Sequence, residues 1–270
     1  MVFILTLRIF LSALAGADGP ERTAAIESLV ATGDVDGIGQ AVYREGWRER
    51  DGLIDALEKI GVDAVPVLVD LARHHPKVDG QRLAIRSLGF VGLVARDSLL
   101  ALVAIKHRDL IVEALGRIGD KRDVPLVRSL LADGHPDVRR RAALALFSLA
   151  GKSAATDLAM LLDDAHHGVR FVAAEALVGL GDVGGQAIFD YFANLSIRGQ
   201  FLALGVLGRL QYLPAKDLMM QVLLRDDWSL RSAAVLSLAV FNDSKSVLLA
   251  HAKHEKHPVV CVQLREVLAD

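Results

Sequence analysis

Among the side chains that could do chemistry, His251, His254 and His257 stand three residues apart with Glu255 between them. Neutral imidazoles bind zinc or iron, and ligands at i and i+3 share a helix face. The third histidine drifts off that face, and no further strong carboxylate completes the set, so no metal is expected there. Asp34-Val35-Asp36-Gly37-Ile38-Gly39 has the opening of a calcium loop but lacks the spaced acids and the closing glutamate. Serine, histidine and aspartate are scattered through the chain without a G-x-S-x-G elbow to expose a nucleophile. No G-x-x-x-x-G-K loop cradles phosphate, and no dinucleotide fingerprint follows a strand. The lone Cys261 can neither close an intrachain disulfide nor build a multi-cysteine metal cage. No catalytic, metal or cofactor residue is assigned, and the chain is not expected to be an enzyme.

What places these residues is a repeat. Leucines recur at Leu29, Leu57, Leu88, Leu115, Leu146, Leu177, Leu207, Leu238 and Leu268, about every 30 residues. Seven before each anchor stand Arg22, Arg50, Gln81, Arg108, Arg139, Arg170, Gln200, Arg231 and Cys261. Four before it the residue is mostly alanine, as at Ala84, Ala142, Ala173, Ala203 and Ala234, and four after it mostly glycine. Small and bulky residues at helical spacing give a face on which another helix can lie close. The glycine then ends helix A, and Pro66 and Pro125 mark the starts of following helices B. Polar turns lead back to the next helix A, with Asp137 and Ser229 as expected N-caps. The Leu57 and Leu115 registers arrive three or four residues early, about one helical turn. Arginines held in one slot are expected to pair with aspartates of the adjoining turns and keep neighbouring units in register. His135, His166 and His257 share a return-turn slot and are expected there as exposed turn residues.

The unit R-x-x-A-x-x-x-L-x-x-x-G-D resembles the HEAT-like repeat named after the phycobilisome lyases, over almost the whole chain. The resemblance implies an all-α, right-handed α-solenoid of about eight helix pairs, a single domain over 1–270. It leaves function open, because one fold hosts many roles. Deoxyhypusine hydroxylase, a di-iron enzyme on similar repeats, uses several His-Glu pairs, whereas here only His254-Glu255 occurs.

Hydrophobic residues make up 52% of the chain and aromatics 5%, which suits aliphatic, alanine-rich helix packing. A formal charge of −2 gives no basic excess for nucleic acid or anionic lipid. Residues 2–17 are the most apolar segment. Arg8, Ser12 and Gly16 fall four apart on a polar stripe, so residues 1–20 read as a capping helix and the protein as cytoplasmic. The alternative is an exported protein whose signal is cleaved after Ala15-Gly16-Ala17. Arg8 interrupts the run, and it is too short for a membrane span.

Specificity in a repeat protein has to come from exposed residues that differ between units. Trp47 and Trp228 both lie ten before their anchors, and packing over an inter-repeat groove accounts for such a position. Around Trp47, however, Tyr43, Arg44, Trp47 and Arg48 concentrate residue types enriched at interface hot spots. These four are the expected protein-binding residues. The function expected is a non-enzymatic scaffold or adaptor that binds another protein, with no cofactor, no nucleic acid and no membrane insertion. The alternative, implied by the resemblance alone, is a subunit of a bilin lyase or isomerase.

Overall fold

The computed structural model describes residues 56–104 and 107–269, together with scattered positions between 24 and 35. The expected capping helix at 1–20 lies outside the described residues. Two compact units divide the chain, 1–125 and 126–270. All regular structure among the described residues is helical.

In the first unit, α1 (Val65–His74) packs on α2 (Val78–Val91), α2 on α4 (Arg108–Ile118), and α3 (Arg96–Leu102) on α4. Helix α5 (Val124–Ser129) follows at the division. In the second unit come α6 (Pro136–Ala150), α7 (Ala155–Met160), α8 (His167–Gly179), α9 (Asp182–Tyr191), α10 (Ile197–Arg209), α11 (Lys216–Val222), α12 (Trp228–Leu238), α13 (Lys245–Ala252) and α14 (Pro258–Ala269). There α6 stacks on α8, α10 on α12 and α12 on α14, while α7 lies along α9. Helices of the A set therefore stack on one another and each also meets a helix of the B set. This is the packing of an α-solenoid.

The anchors make the core. Leu57, Leu88, Leu115, Leu146, Leu177, Leu207 and Leu238 are all fully buried, and so are Ala84, Ile111, Ala142, Ala173, Ala203 and Ala234 one helical turn earlier. Small residues at that turn let the A helices approach, and the leucines fill the space between A and B. In the last helix Leu264 is buried and Leu268 partly exposed.

Left-handed residues end the A helices, as at Gly92 and Gly119. The slot tolerates a substitute at a cost. Gln211 stands where other units have glycine and still takes φ 49°, which costs a non-glycine residue roughly 1–2 kcal/mol. In the unit of Leu146 the slot holds Ala150, and the positive φ moves on one residue to Gly151. The early Leu115 register is accommodated before its helix, where His107 adopts φ 54° directly ahead of α4.

One stretch, Pro136–Asp163, has the helical length and mean hydropathy, 1.3, of a membrane span. It is not one rod: α6 ends at Ala150, Gly151 takes a positive φ, and α7 begins at Ala155. Arg139 and Asp157 within it are both engaged in ion pairs to other parts of the unit. The segment is a helix pair of the repeat.

Leu144 and Leu146 test the packing on a single helix. Leu146→Ala, at a fully buried site, should cost about 2–5 kcal/mol. Leu144→Ala, at a side chain 44% exposed, should cost under about 0.5 kcal/mol. Denaturant unfolding of the two variants checks this, and equal losses would mean that the helix is rotated from the orientation described.

Candidate functional site

Six residues of the arginine slot turn back onto the chain just before them. Arg139 Nη1 donates to the Asp133 carbonyl at 2.8 Å, Arg170 Nη1 to the Asp164 carbonyl at 2.7 Å, and Arg231 Nη1 to the Arg225 carbonyl at 2.9 Å. Each acceptor lies six residues back, in the return turn. Where the slot holds another residue the bond persists: Gln81 Nε2 donates to the His75 carbonyl at 2.7 Å, and Cys261 Sγ to the Glu255 carbonyl at 3.4 Å. Gln200 Nε2 reaches the Leu195 carbonyl at 3.0 Å. Carbonyls of a tight turn between packed helices need a donor, and the slot supplies it.

Two of these arginines also look forward. Arg139 grips Asp164 with Nε at 2.7 Å and Nη2 at 2.8 Å, and Arg231 grips Glu255 with Nε at 2.7 Å and Nη2 at 2.9 Å. Gln200 makes the neutral version, accepting from Arg225 Nη1 at 2.8 Å. The expected pairing between neighbouring units is therefore present, with the acid in the return turn and, in one case, a glutamate. Burial pushes the Asp164 carboxyl up, but hydrogen bonds from Arg139 and the His166 amide outweigh it and the group titrates below its ordinary value. Hydrogen bonds from Arg231 hold the Glu255 carboxyl at about 2 against the opposing effect of burial. A second set of pairs joins B helices and the turns leading into them: Arg96 to Asp123, Arg128 to Asp157 at 2.9 Å, and Lys216 to Asp243.

His135 and His166 are exposed residues of their return turns, as expected, and they also have a structural role, whereas His257 is half-buried. His135 and His166 cap α6 and α8, each ring Nδ1 accepting from the backbone amide two residues on. Asp137 and Ser229, the expected caps, sit inside their helices, because the chain enters the helix earlier. For α12 the cap is Asp227, which accepts from the Ser229 and Leu230 amides. The group at 251–257 is pulled apart. His251 bonds Glu255 at 3.1 Å, His254 is exposed, and His257 stacks on Trp228 with centroids 4.4 Å apart. Among the described residues no three His, Cys, Asp or Glu side chains converge on a metal position. Trp228 thus packs on the next unit. Its counterpart Trp47, with Tyr43, Arg44 and Arg48, lies outside the described residues.

What the sequence reading missed is a groove between α8 and α10. Phe171, 65% exposed, and Phe201, 41% exposed, flank it. Ala174 and Gly205 also line it, and its volume is about 440 Å³. At its far end Arg209 forms a two-pronged pair with Glu175. The signal was present as two phenylalanines, each six before its anchor, but at that spacing a buried phenylalanine reads the same.

Stacked two-helix units with a buried leucine anchor define a helical-repeat protein. Residues 104–178 match the family model for HEAT repeats, and the described residues have the α-solenoid fold of such repeats. Its structure is similar to karyopherin Kap121p bound to the extreme C-terminus of the protein phosphatase Cdc14p, with a TM-score of 0.65 at 9% identity over 97% of this chain and 37% of that one. It is similar to importin beta, with a TM-score of 0.59 at 12% identity over 97% of this chain and 45% of that one. The complex of CpcE and CpcF of phycocyanin lyase from Nostoc sp. PCC7120 aligns with a TM-score of 0.40 at 20% identity, covering 97% of this chain and 93% of that chain. No curated protein matches the chain. The karyopherin and importin beta similarities support the solenoid fold and nothing beyond it.

The clamp makes a pH prediction. Glu255 is held at about 2 in the folded protein, below the 4.5 of a free glutamate. Its contribution is complete above the unfolded value and is lost as pH falls from about 4.5 toward 2. Glu255→Gln should lower stability at pH 7 by roughly 1–3 kcal/mol. It should also flatten the loss of stability between pH 5 and pH 3, seen in denaturant midpoints at the two pH values. Parallel losses in both proteins would show that the pair is not the source.

Proposed function

We propose that this chain is a non-enzymatic scaffold that binds another protein on its repeat surface. One observation carries the reading: charged side chains of the slot are used to hold the stack together, while an apolar groove flanked by exposed phenylalanines opens between α8 and α10. Large apolar side chains at such exposure mark places where another surface docks. A phosphate backbone would need free cations along a face, and many of the guanidinium groups here are already tied to carboxylates or turn carbonyls. The karyopherin structure, solved with the C-terminal segment of another protein bound, belongs to a similar fold and is compatible with this reading.

The segment Tyr43–Arg50 is part of the same proposal. Its aromatic area and guanidinium donors suit a hot spot. Arg44→Ala with Trp47→Ala should weaken binding of a co-purifying partner by at least about 2 kcal/mol without changing helical content. A lower melting temperature at unaltered affinity would assign Trp47 to packing instead.

A cytoplasmic location also belongs to the proposal and rests on reading residues 2–17 as a repeat helix. The intact mass of the native protein should then include them. A mature chain beginning near Asp18 would overturn the location.

A further inference from the structure

Arg170 is the clamp residue that holds its own turn but finds no acid ahead of it. Its Nη1 donates to the Asp164 and Ala165 carbonyls at 2.7 and 2.9 Å, as Arg139 and Arg231 do in their units. In those units the Nε and Nη2 edge grips the carboxylate thirteen residues before the next anchor, Asp164 or Glu255. Thirteen before Leu207 stands Asn194, and among the described residues no carboxylate pairs with Arg170. Arg170 lines the groove between α8 and α10, with Phe171 next to it. The other charges of that groove are matched, since Glu175 is taken by Arg209.

Gly205 is the second observation. Glycine inside a helix costs about 1 kcal/mol against alanine, so it needs a reason. At other helical glycines such as Gly89, Gly184 and Gly208 the reason is visible, because an added Cβ would press on a neighbour. It would fall 2.8 Å from Ala114 at Gly89, 2.1 Å from the Leu177 carbonyl at Gly184, and 2.9 Å from Ser237 at Gly208. At Gly205 an added Cβ meets nothing within 4 Å. Among the described residues no neighbour requires glycine there. It leaves the groove open, so that a docking side chain can come down to the backbone.

Resting on the scaffold reading above, we infer that this groove docks a protein segment that carries a carboxylate close to a large apolar side chain. The carboxylate takes the Nε and Nη2 edge of Arg170, completing from outside the pair that Asp164 and Glu255 complete elsewhere. The apolar side chain lies over Gly205 between Phe171 and Phe201. The lining runs over residues 167–175 and 201–209, about 12 Å of each helix, the span of a short helical or extended peptide.

Two variants leave the fold in place. Arg170→Gln puts into the slot the residue that Gln81 and Gln200 already use to hold their turns, and removes only the charge. Gly205→Leu grows into the groove from a Cβ position that meets nothing within 4 Å, and favours the helix. The probe is a displayed library of random peptides of about 12 residues, selected on the full-length chain. Enriched peptides should place Asp or Glu within about one helical turn of Leu, Phe or Trp. Each variant should weaken their binding at least about 10-fold, with the thermal midpoint kept or, for Gly205→Leu, raised. Changing the peptide's acid to its amide should cause a similar loss on the wild type and little further loss on Arg170→Gln.

Peptides that bind Gly205→Leu as well as wild type would overturn the groove while leaving the scaffold reading standing. Enrichment without an acid would overturn the role of Arg170, and an empty selection would overturn the assignment as a whole. A wild-type dimer that Gly205→Leu abolishes in sedimentation would make a second copy the occupant, against this proposal. Recovery of a partner with the native protein tests the scaffold reading separately.

Discussion

Six of the stacked units share one device, a donor at the start of helix A that satisfies carbonyls of the turn before it. Apolar burial alone brings helices together but does not say which turn meets which helix, because the alanine and leucine faces of successive units are alike. The carbonyls six residues back are fixed in direction, and a guanidinium or amide at one slot can reach them only in one register. The forward bond to the next turn then ties unit to unit through two parallel hydrogen bonds. Such partly buried pairs contribute little net stability against a well-packed apolar substitute, and their established use is specification of register. Loss of one partner is a different matter, since it strands a charge that burial has already cut off from water.

The slot tolerates Arg, Gln and Cys because the backward bond needs only one donor, while the forward grip on an acid needs the planar fork of arginine. Gln200 therefore holds its turn and accepts from Arg225 instead of pairing with a carboxylate. Histidine enters the scheme at the helix starts. An imidazole nitrogen that accepts from the second amide of the helix does the work usually given to serine or aspartate. These polar devices sit at the turns, leaving the outward faces of the A helices free to vary, and Phe171 and Phe201 mark where that freedom was used for apolar surface.

Function follows from this division of labour. Of the residues that suggested metal chemistry, His251 and Glu255 are joined in the clamp of Arg231 and His257 is stacked on Trp228, while Phe171 and Phe201 offer apolar area at the surface. The proposal that another chain is recognised here therefore centres on the groove between α8 and α10.

The repeat, its leucine anchors and the structural role of the arginines were determined by the sequence, because each depends on contacts within one unit and recurs at a period that can be counted. Leu146, Leu177 and Ala173 could be placed in the core from spacing alone, and the structure buries all three. The caps were misplaced by two residues: histidine is an unusual cap at 135, and at 227 the choice between Asp227 and Ser229, both good capping types, was settled by where the helix begins. Which clamp arginine meets an acid, and where two A helices part far enough to leave Phe171 and Phe201 in solvent, was decided by the tertiary structure. Both depend on the spacing between neighbouring helices, and that spacing is set jointly by side chains some thirty residues apart, so no single unit's pattern contains it.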